Sequence, residues 1–389
     1  MRGSGRSGPR ADGLDAGRAT SATRARALVV GAGIAGLAAV RALAHTGFSV
    51  EIIERSPTPN GAGGGIYLPG NATRALRALG LDAEVAQRGV EISRQRFLDD
   101  RGLLLTDVDV ARLWAQVGPC LGVDRAALHA VLREGVGDTT IRHGVTLNRC
   151  TQRDGKVEAE LSDGSQGEYD LVVGADGIHS AVRRLTFNEA APPCPLRQTA
   201  WRLRAPCPEA VTTWTAMLGR RTVFLVMPIG QGQAYAYCDL DTDSVPDRPA
   251  DLLPELLSDF VEPAQEILDS VADVHVSTIE EVVLPSWVRG HVVLIGDAAH
   301  ATSPNMAEGA AMALEDAVVL AQSLTANAAI RDALAAFERR RRPRTDWVRA
   351  QTRRRERIRR LPPPARNLML RAVGPRIFRA NYAPLLAHF

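Results

Sequence analysis

The stretch Ala27-Leu-Val-Val-Gly31-Ala-Gly33-Ile-Ala-Gly36-Leu-Ala-Ala-Val40-Arg-Ala-Leu43-Ala44 decides the fold. Its first four residues form a continuous apolar run of the kind found in a strand buried on both faces. Three glycines follow at once, and then Leu37, Ala38, Val40, Leu43 and Ala44 recur at helical spacing. The segment therefore reads as strand, tight turn and helix. Gly31 permits the turn, Gly33 lets the backbone approach a pyrophosphate, and Gly36 lets helix and strand pack closely. Free N–H groups and the positive end of the helix dipole then face the phosphates. Gly47 closes the helix, and Ser49-Val-Glu-Ile-Ile53 reads as a second strand. That strand ends on Glu54, eighteen positions after Gly36. A carboxylate there accepts hydrogen bonds from ribose hydroxyls and disfavours a 2′-phosphate, which points to FAD or NAD rather than NADP as the bound dinucleotide.

Two further motifs stand downstream. One is Gly174-Ala-Asp176-Gly177-Ile-His-Ser180-Ala-Val-Arg183. The other is Gly296-Asp297-Ala-Ala-His300, followed by a proline-led turn at Pro304 and a helix carrying Leu314-Glu315-Asp316-Ala317. A single dinucleotide threaded past all three makes each spacing sensible. Between them, Glu54-Arg55 leads into the glycine-rich loop Gly61-Ala-Gly63-Gly-Gly65-Ile66 and then Asn71-Ala-Thr-Arg-Ala-Leu-Arg-Ala-Leu-Gly80. Later comes Val123-Asp-Arg125-Ala-Ala-Leu128-His-Ala-Val-Leu132. With these residues in place, the chain from about Ala27 to about Arg344 resembles the group A, p-hydroxybenzoate hydroxylase-like, FAD-dependent aromatic-ring monooxygenases.

The resemblance implies roles residue by residue. Gly31, Gly33, Ala35 and Gly36 would lie against the pyrophosphate. Glu54 would hold the adenosine ribose, with Arg55 beside the adenine and phosphates. Gly65 and Ile66 belong to the cofactor-binding set, and Arg125 matches the family's flavin-binding arginine at a helix start. Asp176-Gly177 is credited with FAD and pyridine-nucleotide contacts, and Asp297 with the ribityl hydroxyls. Beyond Pro304, the backbone of Gly309, Ala310 and Ala311 would face the flavin's pyrimidine edge, where a helix N-terminus favours the anionic reduced ring. Arg202, in a Trp-Arg pair, is the candidate catalytic residue, approaching flavin or substrate. His300 reads as structural. One departure stands out: the family has Gly-Gln-Gly where this chain has Ala307-Glu308-Gly309. A carboxylate there opposes a negative reduced flavin unless it points to solvent or to another partner.

The 389 residues are too many for one core and comfortable for two. The reading is an α/β chain: a Rossmann-like FAD-binding domain, an inserted, mostly antiparallel β-sheet substrate domain, and a C-terminal helical segment. The FAD-binding domain is discontinuous, over 26–100, 116–190 and 286–325. The substrate domain takes 101–115 and 191–285, and 326–389 is helical. Strand-like runs at Thr199–Leu203, Val211–Thr215, Thr222–Met227, Ala234–Cys238 and Val274–Ile279 build the inserted sheet, with a helical stretch near Asp251 to Val271. Trp201, Trp214, Phe224, Tyr235 and Tyr237 are the expected filling of a sheet core. The stretch Asn367 to Phe378 is expected to cap the substrate side.

Residues 1–25, rich in Gly, Ser and Arg without an apolar core, read as a disordered extension rather than a secretory signal. Five cysteines without a Cys-x-x-Cys pair, and histidines without ligand spacing, argue for a reducing cytoplasm and against a metal site. No apolar run is long enough to span a bilayer. Residues 331–360 hold thirteen arginines against four acids, but the net charge is only +3 and no nucleic-acid motif accompanies them. A solvated helix face packed on the FAD domain is the favoured reading, and no nucleic-acid partner is expected.

The activity implied is NAD(P)H- and O₂-dependent hydroxylation or epoxidation of a small aromatic, polycyclic or polyketide-like substrate through a flavin C4a-hydroperoxide. A flavin oxidase or reductase on the same scaffold is the alternative, or a non-catalytic flavin- or ligand-binding protein. The sequence leaves substrate, NADH against NADPH, and oligomeric state open.

Overall fold

A computed structural model describes residues 24–58, 64–187, 192–242, 248–271 and 273–389. Most of the proposed N-terminal extension, and Gly61 to Gly63 of the glycine-rich loop, lie outside the described residues.

The Ala27–Val30 run is the middle of a six-stranded sheet. Its order is Val288–Arg289, Val292–Leu294, Leu171–Gly174, Arg26–Val30, Ser49–Glu54 and Ile141–His143, all parallel except the first. Ala27, Leu28 and Val29 have no exposed surface, as expected for a strand covered on both faces. Register decides what this sheet can do. Val30 pairs with Gly174 and Ile53, and Gly174 with Leu294, so three strands end at one level. The ladder continues one residue beyond each end. Gly31 N–H donates to Ile53 O at 2.8 Å, Ala175 N–H to Val30 O at 2.8 Å, and Ile295 N–H to Gly174 O at 3.0 Å. The three motifs thus leave adjacent parallel strands side by side at their carboxyl ends, where open α/β sheets bind ligands.

A seven-stranded sheet forms the second layer, in the order Asp273–Glu281, Cys194–Pro206, Gln233–Asp241, Thr222–Gly230, Trp214–Leu218, Arg94–Asp99 and Leu104–Asp109. All its pairings are antiparallel except that of Trp214–Leu218 with Arg94–Asp99. The strand Arg94–Asp99 therefore sits in this sheet, and the first excursion from the dinucleotide sheet begins ahead of residue 101. A hairpin causes it: Asp99 Oδ1 accepts from Arg101 N–H and Leu103 N–H, and Phe97 pairs with Thr106. Strand alternation gives the sheet two faces. Trp201, Leu203, Met217, Phe224, Val226 and Cys238 point to the back, where they form a separate core with Leu253, Leu257, Phe260 and Ile267. The helical stretch expected at 251–271 is two short helices, Leu253–Leu257 and Ala264–Ser270, the second opening on Pro263. Trp214, Tyr235 and Tyr237 point to the other face, toward the dinucleotide sheet.

Three helices close the structure: Gly309–Ala326, Ile330–Arg359 and Pro363–Leu386. The first is buried along nearly its whole length and carries Glu315 and Asp316 with no exposed surface. Charges this deep persist only when paired. Arg341 Nη1 reaches Glu315 Oε2 at 2.6 Å and Arg341 Nε reaches Asp316 Oδ1 at 2.8 Å, while Arg344 grips Glu315 from a second direction. Asp316 Oδ2 also accepts from Gly296 N–H at 2.9 Å and lies 2.6 Å from His300 Nε2. The arginine-rich helix thus has a solvated face, on which Arg331, Arg339, Arg340, Arg353, Arg354, Arg357 and Arg360 are exposed, and an inner face that staples it to the neighbouring helix. Arg342 also joins in, donating to Leu284 O and Pro285 O while lying over the Trp287 ring.

Arg341→Ala leaves two buried carboxylates short of a partner. Urea denaturation is expected to show a loss of about 3–5 kcal/mol, against less than about 0.5 kcal/mol for Arg354→Ala on the exposed face.

Candidate active site

A cavity of about 570 Å³ lies between the strand ends of the dinucleotide sheet and the front face of the seven-stranded sheet. Its dinucleotide side is made by the three motifs. Gly33, Asp297, Pro304 and Gly309 are exposed residues inside otherwise buried segments, and all four line this cavity. Ala35, Gly65, Ile66, Arg125, Gly177 and Ala310 line it as well.

The glycines divide by what a side chain would meet. A Cβ on Gly31, where φ is +102°, would sit 2.5 Å from Ala175 O, and one on Gly36 would sit 1.8 Å from Gly31 O. These two serve packing of turn, helix and neighbouring strand. A Cβ on Gly33 or Gly309 would meet nothing within 4 Å. Gly33 has extended backbone that any residue can adopt, at the start of the helix Ile34–Leu43. Open space before a helix N-terminus is what a pyrophosphate needs, so the residues present fit a dinucleotide. Gly65 is bare for another reason: a Cβ there would lie 2.4 Å from Cβ of Tyr235, so the glycine loop packs directly on the second sheet.

Other expected cofactor residues sit differently. Glu54 does not line the cavity. Its Oε2 accepts from Ala32 N–H at 2.7 Å and its Oε1 from Ser56 N–H at 2.8 Å, which fixes the carboxylate beside the glycine turn. Arg55 is exposed next to it. Asp176 is also outside the lining. Its carboxylate accepts from Ser180 Oγ, Ala181 N–H and Val182 N–H, so it caps the helix Ala181–Thr186, and burial pushes its carboxyl up. The cavity-facing part of that motif is the backbone of Gly177, with φ of +77° and open space beyond it. Ala311 is fully buried behind Ala310. Glu308 points inward, to Asn71 Nδ2 at 2.9 Å, and has no exposed surface. His300 is spent on Asp316 and packs at a tilt against Trp287, with ring centroids 5.0 Å apart.

The opposite wall is the sheet's front face. Arg202 stands on the strand Cys194–Pro206 and donates from Nη1 to Ser277 Oγ at 2.7 Å. Next come Tyr235, Tyr237 and Asp239, then an apolar strip of Val223, Leu225, Met227, Trp214, Ala216 and Leu218, and finally Gln95, Phe97 and Thr106. The last two helices complete the enclosure. Arg355 and Arg359 come from one, and Leu370, Ile377, Phe378 and Tyr382 from the other, which spans Pro363–Leu386 rather than Asn367 to Phe378 alone. Phe97 packs against Trp214 at 5.1 Å and Phe378 at 6.3 Å between centroids.

Sequence reasoning missed the pair Asp239–Arg359. Arg359 engages both carboxylate oxygens of Asp239, at 2.6 Å from Nη1 to Oδ2, and Tyr237 Oη donates to Oδ2 at 3.1 Å. The partners stand 120 positions apart, and no local pattern marks them. Among the described residues no group of acids, histidines and cysteines could hold a metal ion, and no helix is long and apolar enough to cross a membrane.

With this geometry in place, comparisons with known proteins identify the family. A family model described as "FAD binding domain" matches residues 24–352. The aurachin C monooxygenase/isomerase of Stigmatella aurantiaca is 34% identical over 325 residues, 80% of this chain and 83% of that protein. The 2-heptyl-3-hydroxy-4(1H)-quinolone synthase of Pseudomonas aeruginosa is 35% identical over 342 residues, covering 84% and 87%. Among solved structures, Klebsiella pneumoniae HpxO complexed with FAD and uric acid has the same fold, with a TM-score of 0.82 at 24% identity over 93% of this chain and 95% of that one. The tetrameric form of 2-methyl-3-hydroxypyridine-5-carboxylic acid oxygenase has a TM-score of 0.77 at 26% identity, covering 94% and 99%.

Gly33→Val places its side chain in the space left for the pyrophosphate, with its Cβ more than 4 Å from any protein atom outside its chain neighbours. The variant is expected to keep the wild-type Tm as apoprotein yet to lose FAD on gel filtration, an affinity drop of about 100-fold or more. Gly31→Val is expected to fail to fold. The chain belongs to the FAD-dependent group A aromatic flavoprotein monooxygenases.

Proposed function

We propose that this monooxygenase inserts one oxygen atom into an uncharged bicyclic heteroaromatic ring of the 4-quinolone kind that carries an apolar chain. The observation that carries the reading is the front face of the seven-stranded sheet: a long apolar strip with Phe97 and Phe378 beside it, where each guanidinium already donates to a protein partner, while the exposed Arg125 lies on the dinucleotide side. Arg359 is neutralised by Asp239. Arg366 donates to Gly219 O and Leu218 O, Arg355 to Asn305 O, and Arg202 to Ser277 Oγ. Only Arg359 has its charge balanced by a carboxylate, so the apolar strip rather than a missing cation favours a neutral ring with an alkyl chain, which gains from burying its surface. Two relatives at 34% and 35% identity support this, one of them named for a heptyl-hydroxyquinolone product.

The cofactor assignments follow the lining. Gly33 and Ala35, at the start of a helix, would hold the pyrophosphate, Asp297 the ribityl hydroxyls, and Glu54 the adenosine ribose through its remaining lone pairs. Gly309 and Ala310 would present N–H groups to the pyrimidine edge. FAD, reduced by NAD(P)H, supplies the activation of O₂. The chain's own part is to orient the ring, exclude water and hold charge in place. The apolar strip and the Pro363–Leu386 helix keep the chamber dry. Arg202, on the front face between Ser277 and Tyr235, is the group placed to touch flavin or substrate.

The test is NAD(P)H consumption with 2-alkyl-4-quinolones beside benzoate- and nicotinate-type acids, under ¹⁸O₂. The reading expects faster consumption with the quinolones and one labelled oxygen in the product. Turnover of the acids alone would overturn the substrate class, and consumption without incorporation would mark an oxidase. Arg202→Ala is expected to keep its FAD and lose about tenfold or more in kcat/KM.

A further inference from the structure

Glu308 stands immediately before the helix Gly309–Ala326, and it is fully buried. The elements packed around it bring polar groups whose donors are mostly engaged elsewhere, though Asn71 Oδ1 and Arg74 Nε are themselves unpartnered. From the helix Gly70–Ala78, Asn71 Nδ2 donates to Glu308 Oε2 at 2.9 Å and also to Glu315 Oε1 at 3.1 Å. Glu308 Oε1 has no partner among the described residues. Arg344, from the penultimate helix, spends its donors on Glu315 and on the carbonyls of Pro384, Leu385 and Ala387. Arg355, one face further along, donates to Asn305 O and lies over the Phe378 and Tyr382 rings. Tyr382, from the last helix, donates its hydroxyl to Met306 O at 2.9 Å, and Cys120 is engaged with Tyr67. The two arginines bonded to this cluster, Arg341 and Arg344, balance Glu315 and Asp316. Glu308 is a third carboxyl with no cation in ion-pair contact among the described residues; Arg344 and Arg355 act on it only from a distance.

We propose that Glu308 is carried as the neutral carboxylic acid, standing in for an uncharged amide, and that this keeps negative charge away from the N–H groups that open the long helix. Its carboxyl is pushed up to about 8, first by burial and then by Glu315, against the pull of Asn71, Arg344 and Arg355. The Ala307-Glu308-Gly309 departure from Gly-Gln-Gly is then conservative in charge at neutral pH. Above that range Glu308 ionises, and the helix N-terminus loses part of its positive potential. The acid itself is a property of the apoprotein and independent of any substrate. Its effect on the flavin rests on the cofactor placement proposed above.

The test compares wild type with E308Q, a replacement of matching shape. A folded-state value above the ordinary carboxyl range means that wild type loses stability relative to E308Q as pH rises, until Glu308 ionises in the folded state as well. Denaturant titrations of both apoproteins from about pH 5 to about pH 9 are expected to diverge by on the order of a thousandfold in unfolding constant, levelling off near the top. An infrared difference spectrum at neutral pH is expected to show a protonated-carboxyl C=O band in wild type that E308Q lacks. Parallel stability profiles, or the absence of that band, would overturn the proposal. In the holoproteins, the flavin midpoint potential of wild type is expected to gain extra pH dependence above about pH 8 that E308Q does not show. Identical potential profiles alongside divergent apoprotein stabilities would overturn only the link to the flavin.

Discussion

Asp316 has no contact with solvent, and the position of the third motif depends on it. One of its oxygens takes Gly296 N–H and His300, the other Arg341 Nε. That single carboxylate ties the turn leading to Asp297 to both long helices. Glu315, its neighbour, does the same for Asn71 and Arg344. Ion pairs this deep add little net stability compared with a well-packed apolar core, yet losing one partner is costly. Their value here is geometric. They hold a helix N-terminus and an exposed aspartate beside a glycine turn that lies more than 260 residues earlier in the chain.

The second constraint is the front face of the seven-stranded sheet. Its alternation sends one set of side chains into a separate core and the other into the cavity, so the sheet is a wall with its own foundation. The last helix closes the chamber, clamped at both ends by arginines that donate to backbone oxygens. Arg366 reaches across to Leu218 and Gly219, and Arg74 caps the final turn at Leu385, Leu386 and Ala387. This helix lies beyond residue 352, where the match to the family ends.

What could be read from the sequence follows from how local each signal is. Strand, turn and helix around Gly31 to Gly36 are encoded within eighteen residues, and the structure forms them there. The motifs at Gly174 and Gly296 were readable because each is short and each ends a parallel strand. Side-chain direction was not readable. Asp176 sits in the expected motif yet caps a helix, and only the adjacent Gly177 faces the cavity. Trp201 and Trp214 look alike in sequence but lie on opposite faces. The Asp239–Arg359 pair and the burial of Glu308 arise from segments that meet only after folding. The arginine run is a solvated helix face packed on the dinucleotide domain, as expected, but composition does not show which guanidinium groups turn inward.

The central claim is that the three strand-end motifs form one site for FAD. The most direct measurement is the visible spectrum of the purified full chain after incubation with FAD and removal of unbound flavin. The account predicts a retained, protein-perturbed flavin spectrum at one FAD per chain. A folded protein that elutes colourless would contradict it.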